Sequence, residues 1–186
     1  LIMCHLCLEC TEFLISHLNA VKHIFIEAFS LDDEELIRQT LRLGLRYHNF
    51  TISLGDQFQD LVKKTFSVII LMCALVIGCI GNQVVKDKSI GSCLFLLGYS
   101  SGLSMLCHAG QRLHDESVSL VDSIYGSKWY EADVKFWKDI PFILARCQQP
   151  MKLPSFPVGY LSYALFAVIM KTSYSYLTVL NNSSEK

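Results

Sequence analysis

The sequence predicts an all-α membrane protein. Of its 186 residues, 52% are hydrophobic and 18% are charged, which is too apolar for a soluble domain with a charged surface. Three apolar segments, 66–85, 90–107 and 156–180, are close to the roughly 20 residues that a helix needs to cross a bilayer. The net charge of −1 gives no indication of nucleic-acid binding.

The first 64 residues are predicted to form two helices. Residues 1–29 are apolar with scattered polar positions, which suits the end of a membrane span that continues into water. Ser30 can cap the following helix, and the acidic residues 32–35 favour the positive end of its dipole. A helix of mixed polarity then extends to about Lys64.

Two apolar segments, 66–85 and 90–107, form a predicted helical hairpin. The four residues between them allow only a tight turn. The second segment contains small residues such as Gly91, Gly98 and Gly102, which allow helices to approach closely in lipid.

Segment 108–155 is polar and is predicted to lie outside the bilayer. Residues 115–125 and 131–147 are expected to be helical, the second helix bent at Pro141. Later prolines exclude a continuous helix before the last apolar segment. The predicted domains are therefore 1–64, the hairpin 65–107, the polar region 108–155, and the last span with its tail, 156–186.

The distribution of Lys and Arg predicts the orientation of these spans. With three spans, segments 1–64 and 108–155 lie on one side and carry twelve Lys and Arg, against three on the other side. Because cytoplasmic loops carry the excess of positive charge, the C-terminus is expected to be extracellular.

The last apolar segment carries a polar stripe. At 100° per residue, Lys171, Thr172 and Val179 lie within about 60° of Ser175, on one side of the helix. Such a stripe is expected for a helix that lines a pore, and equally for a bundle helix in which hydroxyls bond between helices and lysine reaches the interface.

Cysteine and histidine give no indication of an enzyme or of a metal site. Cys4, Cys7 and Cys10 are spaced by three, with no second pair to complete a ligand set, and the other five cysteines lie singly. No spacing typical of a nucleophile and its base occurs near His108, His114 and Asp115. We therefore expect no catalytic residue, no metal and no cofactor.

An ordered set of short motifs resembles the insect odorant receptor family. The set is Arg46-Tyr47-His48, Cys107-His-Ala-Gly110, Ile124-Tyr125-Gly-Ser-Lys-Trp129-Tyr130, Arg146-Cys-Gln148-Gln-Pro150, and Lys171-Thr-Ser-Tyr174-Ser175-Tyr-Leu-Thr-Val179-Leu180. Each piece is unspecific alone, whereas the set in this order and spacing is highly specific. In that family the shared co-receptor carries a long insertion before span five, whereas the connection from Phe29 to Phe66 is short here, so the resemblance implies an odorant-tuning subunit.

The resemblance implies a seven-span helical bundle, of which this chain would be the C-terminal part: the end of span four and spans five to seven. It also implies an odorant-gated, non-selective cation channel that forms a heterotetramer with a co-receptor in the plasma membrane of sensory dendrites. Volatile odorants and the lipid bilayer would be its other partners.

The resemblance also assigns roles to individual residues. It places Lys171, Thr172, Ser175 and Val179 along the pore, with Val179 at a hydrophobic constriction. Span six would offer odorant contacts, and the polar region would form an anchor between subunits. The expected odorant contacts are Phe95, Leu96 and Tyr99, and the expected anchor residues are Tyr125, Trp129, Arg146 and Pro150.

Two alternatives stay open at this point. A gustatory receptor shares the architecture, but its usual Gln-Phe after Thr-Tyr near the end is missing here. A transporter or membrane scaffold without a ligand gate would also accommodate Lys171 in a span.

Overall fold

The computed structural model describes residues 2–87, 89–155 and 159–184. Three long helices come first: α1 (Ile2–Ala28), α2 (Glu34–Asp87) and α3 (Ile90–Tyr125). The later helices are α4 (Val134–Trp137), α5 (Ile140–Cys147) and α6 (Tyr163–Ser184), and a 3-10 turn (Trp129–Glu131) precedes α4. The prediction of an all-α membrane-type fold is confirmed.

A two-stranded antiparallel sheet precedes the last helix. Its strands are β1 (Pro154–Ser155) and β2 (Gly159–Tyr160), with Pro154 opposite Tyr160. Gly159 has a φ of 104°, a left-handed conformation that favours glycine. The expected helix from residue 156 therefore begins later, at Tyr163. Ser162 caps it, because its Oγ accepts a hydrogen bond from the Leu165 amide at 3.2 Å.

The structure divides into two compact units. The first comprises residues 1–9, 59–111 and 153–186, and the second comprises residues 10–58 and 112–152. Both units contain parts of α1, α2 and α3. In the first unit α6 joins these helices, and in the second unit α4 and α5 join them.

Two predicted helix boundaries do not exist. The mixed-polarity helix and the first apolar segment form the single helix α2, and the second apolar segment continues into α3 as far as Tyr125. A change from apolar to polar side chains leaves the backbone hydrogen bonds intact, so polarity alone does not end a helix. Gly44 and Gly55 do not interrupt α2 either, because each is closely packed: an added Cβ would lie 3.2 Å from Ile24 and 2.9 Å from Met151.

Two other local predictions are corrected. Ser30 ends α1 by donating to the Glu27 carbonyl at 2.8 Å, and Asp33 precedes α2, its carboxylate accepting from the Glu35 amide. Pro141 does not bend a long helix. It lies in the first turn of α5, where the missing N–H costs no helical hydrogen bond.

Among the described residues, α2 and α3 are long and apolar enough to cross a membrane, by length and composition. In both helices only 22% of the most apolar window is buried within the chain, and the other side chains are half-buried or exposed. Such exposure is expected where lipid or other helices cover a helix. The predicted assignment of three spans and the four predicted domains remain predictions.

Candidate ligand cavity and last helix

An apolar cavity lies in the first unit, against α1, α2 and α3. Its volume is about 480 Å³, within the range of small-molecule sites. Its lining is mainly apolar and comes from all three helices. It includes Met3 and Cys4 from α1, Phe66 and Cys73 from α2, and Phe95 and Tyr99 from α3.

The lining of this cavity determines what it can bind. Among the described residues its lining contains no charged side chain, and the polar side-chain groups there are the Tyr99 hydroxyl and two thiols. A charged ligand would lose its hydration without gaining an ionic partner. The cavity is therefore suited to a neutral, largely apolar molecule with one or two hydrogen-bonding groups.

The structure brings two of the three predicted odorant contacts to this cavity. Phe95 and Tyr99 line it, one turn apart on α3, whereas Leu96 does not. At 100° per residue, Leu96 is displaced by one step from Phe95 and points to another face. Cys4 and Cys73 were not among the predicted contacts, because their sequence surroundings do not indicate which helices meet.

The predicted polar stripe is exposed on α6. Lys171, Thr172, Ser175 and Val179 are all exposed, whereas Ile169 is buried. Thr172 and Ser175 donate to the carbonyls of Val168 and Lys171 at 2.8 and 3.0 Å. These bonds use the hydroxyl protons within the helix and leave oxygen lone pairs free to accept.

Close packing joins α6 to α2 through residues outside the stripe. The Ser173 hydroxyl donates to the Ala74 carbonyl at 3.0 Å, so it bonds between helices. A Cβ added to Gly78 would lie 2.7 Å from the Tyr176 ring, and one added to Gly81 would lie 2.7 Å from Leu177. The predicted close approach through small residues therefore occurs on α2, whereas Gly91 and Gly98 are uncrowded.

An aromatic cluster surrounds Trp129 in the second unit. Its ring lies 6.3 Å from Tyr125, 6.2 Å from Tyr130 and 6.2 Å from Trp137. The Trp129 indole donates to the Tyr125 carbonyl at 3.1 Å, which holds the 3-10 turn against the end of α3. Tyr125, Tyr130 and Trp137 are exposed, so the cluster offers an aromatic surface. Trp137 belongs to it but was not predicted.

The other two predicted anchor residues lie at the end of α5. Arg146 is exposed and donates to Gln149 at 3.2 Å, and Pro150 follows the helix. Between them, Cys147 is buried, with its Sγ 4.0 Å from Nδ1 of His48. Burial raises the pKa of Cys147 to about 11, and burial followed by the nearby Arg146 charge lowers the pKa of His48. Both groups are therefore neutral at physiological pH: Cys147 is a thiol and not a reactive thiolate, and His48 is not a cation.

Two ion pairs connect α1 and α3 within the second unit. Glu12 accepts from Arg112 at 2.6 Å, and Glu116 accepts from Lys22 at 2.6 Å. Lys22 also donates to Ser119 at 2.7 Å and is only 14% exposed. The hydrogen bond from Lys22 is the main cause that lowers the pKa of Glu116.

Replacing Lys22 with methionine should destabilise the protein by about 1 kcal/mol, because Glu116 then loses its partner in a partly screened position. Thermal unfolding in detergent should show a midpoint lower by about 2–4 °C. Because the pKa of Glu116 is lowered, the contribution of this pair is present above its ordinary value of 4.5 and is lost as the pH falls through the lower folded-state value. The matched control is Lys138→Met, at an exposed lysine. Equal unfolding midpoints for the two variants would contradict a stabilising role of the pair between Lys22 and Glu116.

Comparison with known proteins decides the family of this chain. The family model described as 7tm Odorant receptor matches residues 2–174, which is most of the sequence. The chain belongs to the 7tm odorant receptor family. Similar proteins include Odorant receptor 85b of Drosophila melanogaster, 26% identical over 73% of this receptor chain, and Odorant receptor Or2 of Anopheles gambiae, 29% identical over 75% of it.

The fold of this receptor chain is shared with a solved insect olfactory receptor. The structure of OR5 from Machilis hrabei in complex with eugenol matches with a TM-score of 0.82 at 16% identity, covering 93% of this chain and 45% of that one. The chain covers 36% of Odorant receptor 85b and 38% of Odorant receptor Or2. It therefore spans well under half of the relatives that it matches.

Proposed function

We propose that this sequence is the C-terminal part of an odorant-tuning receptor subunit, which binds volatile ligands and gates a non-selective cation channel. The observation that carries the proposal is the uncharged cavity lined by Phe95 and Tyr99 in a chain of the odorant receptor family. In this proposal the protein lies in the plasma membrane of a sensory dendrite with its C-terminus outside.

The proposed ligand is a neutral volatile molecule. Volatile compounds are small and largely apolar, and the absence of charged residues from the cavity lining matches that chemistry. The Tyr99 hydroxyl can donate to an oxygen of the ligand or accept from it. The solved receptor with the same fold was obtained with eugenol, a ligand that supports this class of compound by analogy.

The proposed pore wall is the exposed stripe of α6. Outward-facing hydroxyl oxygens at Thr172 and Ser175 can replace part of the hydration of a passing cation, and Val179 can close the path by excluding water. The Lys171 ammonium is the stripe's basic group, and we expect it to lie near a water-filled end of the pore, because a lysine in lipid is costly.

The proposed anchor is the polar region that contains Tyr125, Trp129, Arg146 and Pro150. Exposed aromatic rings and arginine are the residue types enriched at the centre of protein interfaces. We propose that this surface meets neighbouring subunits, including an odorant co-receptor, in a heterotetramer. Ligand binding would then shift the equilibrium between closed and open arrangements of α6.

Replacing Phe95 with alanine in the full-length receptor should raise the odorant concentration for half-maximal current by about tenfold, which corresponds to the loss of roughly 1.4 kcal/mol of apolar contact. Tyr99→Ala should act in the same direction. Currents are recorded from cells that express the receptor with a co-receptor, during exposure to a panel of neutral volatile compounds.

The matched control is Leu96→Ala, which removes a side chain of similar size from the same turn of α3 but outside the cavity lining. It should leave the half-maximal concentration within about twofold of the original, a difference of less than 0.5 kcal/mol. A larger shift for Leu96→Ala than for Phe95→Ala would place the ligand elsewhere.

A further inference from the structure

The start of α6 and the residues just before it are held against α3 by two contacts in the first unit. A Cβ added to Gly110 would overlap the backbone of Leu161, so the two segments touch main chain to main chain. Leu161 is fully buried, and its amide donates to the Leu153 carbonyl at 2.8 Å. The position of residue 161 is thus fixed both by α3 and by the segment that leads into α6.

A hydrogen bond between side chains reinforces this contact. It joins the residue two positions before Gly110 to the residue two positions after Leu161. Nδ1 of His108 lies 2.7 Å from the Tyr163 hydroxyl, and the two rings are 6.0 Å apart. The tyrosine donates when the histidine proton is on Nε2 and accepts when it is on Nδ1. In either case the bond joins α3 directly to the first residue of α6.

The same helix α3 lines the cavity. Tyr99, Leu103 and Leu106 are lining residues, and His108 follows two residues after the last of these. Because α3 is an uninterrupted helix, the nine steps from Tyr99 to His108 form a rod of about 13.5 Å. A ligand that displaces Tyr99 or Leu103 would therefore move His108 along with them.

The contacts between α6 and α2 lie farther along α6. Tyr176 and Leu177 pack on Gly78 and Gly81 there, and Ser173 donates to the Ala74 carbonyl. These contacts hold the later part of α6, whereas the bond between His108 and Tyr163 joins the first residue of α6 to α3 and is either formed or broken. An element with two discrete arrangements is what transmits a displacement between sites.

We propose that His108 is a positioning residue for gating: through its hydrogen bond to Tyr163, it passes the displacement of the cavity-lining helix α3 to the first turn of α6. This inference rests on the proposed function, because it takes the cavity as the ligand site and α6 as the pore helix. His108 itself contacts neither the cavity nor the exposed stripe of α6.

A double-mutant cycle tests the proposal. Tyr163→Phe, His108→Ala and the double variant are made in the full-length receptor, and currents are recorded with a co-receptor. Each single variant should reduce the maximal current of a partial agonist, relative to receptor at the surface, by roughly three- to tenfold, as expected for one hydrogen bond. The double variant should be no worse than either single variant, and the relative permeability to cations should stay unchanged.

Two further variants separate this role from a loss of folding. His108→Gln keeps a side chain that can bond to the Tyr163 hydroxyl and should restore a large part of the response. Tyr174→Phe removes the hydroxyl of an exposed tyrosine on the same helix and should change nothing. Surface labelling reports the amount of each variant at the membrane.

The outcomes are distinguishable. If the original receptor responds to odorants but the two single effects add in the double variant, the coupling role of His108 is wrong and the proposed function stands. If the variants alter relative permeability, His108 belongs to the pore and the proposal also fails. If the original receptor gives no odorant current with any co-receptor, the proposed function is wrong and this inference fails with it.

Discussion

Replacing Gly110 with alanine should remove most of the receptor from the cell surface and abolish odorant-evoked current. The new methyl group would overlap the Leu161 backbone, and backbone cannot turn aside as a flexible side chain can. The residues around Leu161 are fixed by burial and by its bond to Leu153, so relief requires α3 and α6 to separate. Overfilling a packed contact typically costs about 1–3 kcal/mol, and a main-chain contact is expected at the upper end.

The measurement is thermal unfolding of purified receptor in detergent, together with surface labelling. The midpoint should fall by about 5–10 °C. Gly91→Ala is the matched control, because its Cβ would meet only Ser89 Oγ at 3.6 Å in the same helix.

Alanine is the better helix former by about 1 kcal/mol, so Gly91→Ala should be neutral or stabilising. Gly110→Ala should therefore lower the unfolding midpoint, whereas Gly91→Ala should leave it unchanged or raise it. A neutral Gly110→Ala would mean that the contact with Leu161 does not exist in the receptor.

Helices and membrane character could be predicted from the sequence, because they depend on local composition. Apolar segments of about 20 residues identified regions that lie within α2 and α3, and the helix over residues 1–29 was predicted to within a residue or two. The errors are at boundaries. Ser30 and Pro141 each fit two local structures, and residue type alone does not select between them: Ser30 closes α1 and Pro141 opens α5.

The parts of the candidate site that could not be predicted depend on which helix faces meet. The sequence indicated close packing at Gly91 and Gly98, which are seven residues apart, but it occurs at Gly78 and Gly81, which are three residues apart. Spacing identifies a small-residue face without identifying its partner. Likewise, Cys4 and Cys73 are 69 residues apart and share a cavity only because α1 and α2 pack together.

The sequence also contains a signal for the bond between His108 and Tyr163. A histidine directly after a predicted span and a tyrosine near the start of the next are natural partners at one membrane boundary, since both have an apolar body and a polar tip. That reasoning would have singled out His108 and Tyr163. Phe95 and Tyr99 required the family resemblance, because a phenylalanine and a tyrosine one turn apart in an apolar helix are typical of any bundle.

Replacing Val179 with glutamate should change ion permeation more than any other single change on α6. Val179 is 65% exposed on the stripe that we assign to the pore. In the proposed heterotetramer each subunit of this type would add one carboxylate to the constriction. A cation 8 Å from one carboxylate gains roughly 2 kcal/mol at an effective dielectric constant of 20, which is more than tenfold in occupancy.

The substitution should also remove the hydrophobic barrier. A ring that contains carboxylates stays hydrated, so the closed pore should leak and current without odorant should rise. Reversal potentials under mixed ionic conditions should show increased preference for divalent cations, and block by large cations should strengthen. These measurements require the full-length receptor with a co-receptor.

Two controls separate the pore assignment from a general effect of charge. Val179→Gln introduces similar size and polarity without charge, so it should increase the leak but not the preference for divalent cations. Tyr174→Glu places the same carboxylate at a residue that is 68% exposed but lies about 140° from Val179 around the helix. If Val179→Glu and Tyr174→Glu change permeation equally, or neither does, then the face of α6 that carries Thr172 and Ser175 does not line the pore. The exposed hydroxyls would then be better explained as contacts with neighbouring helices, as in a bundle without a conduit.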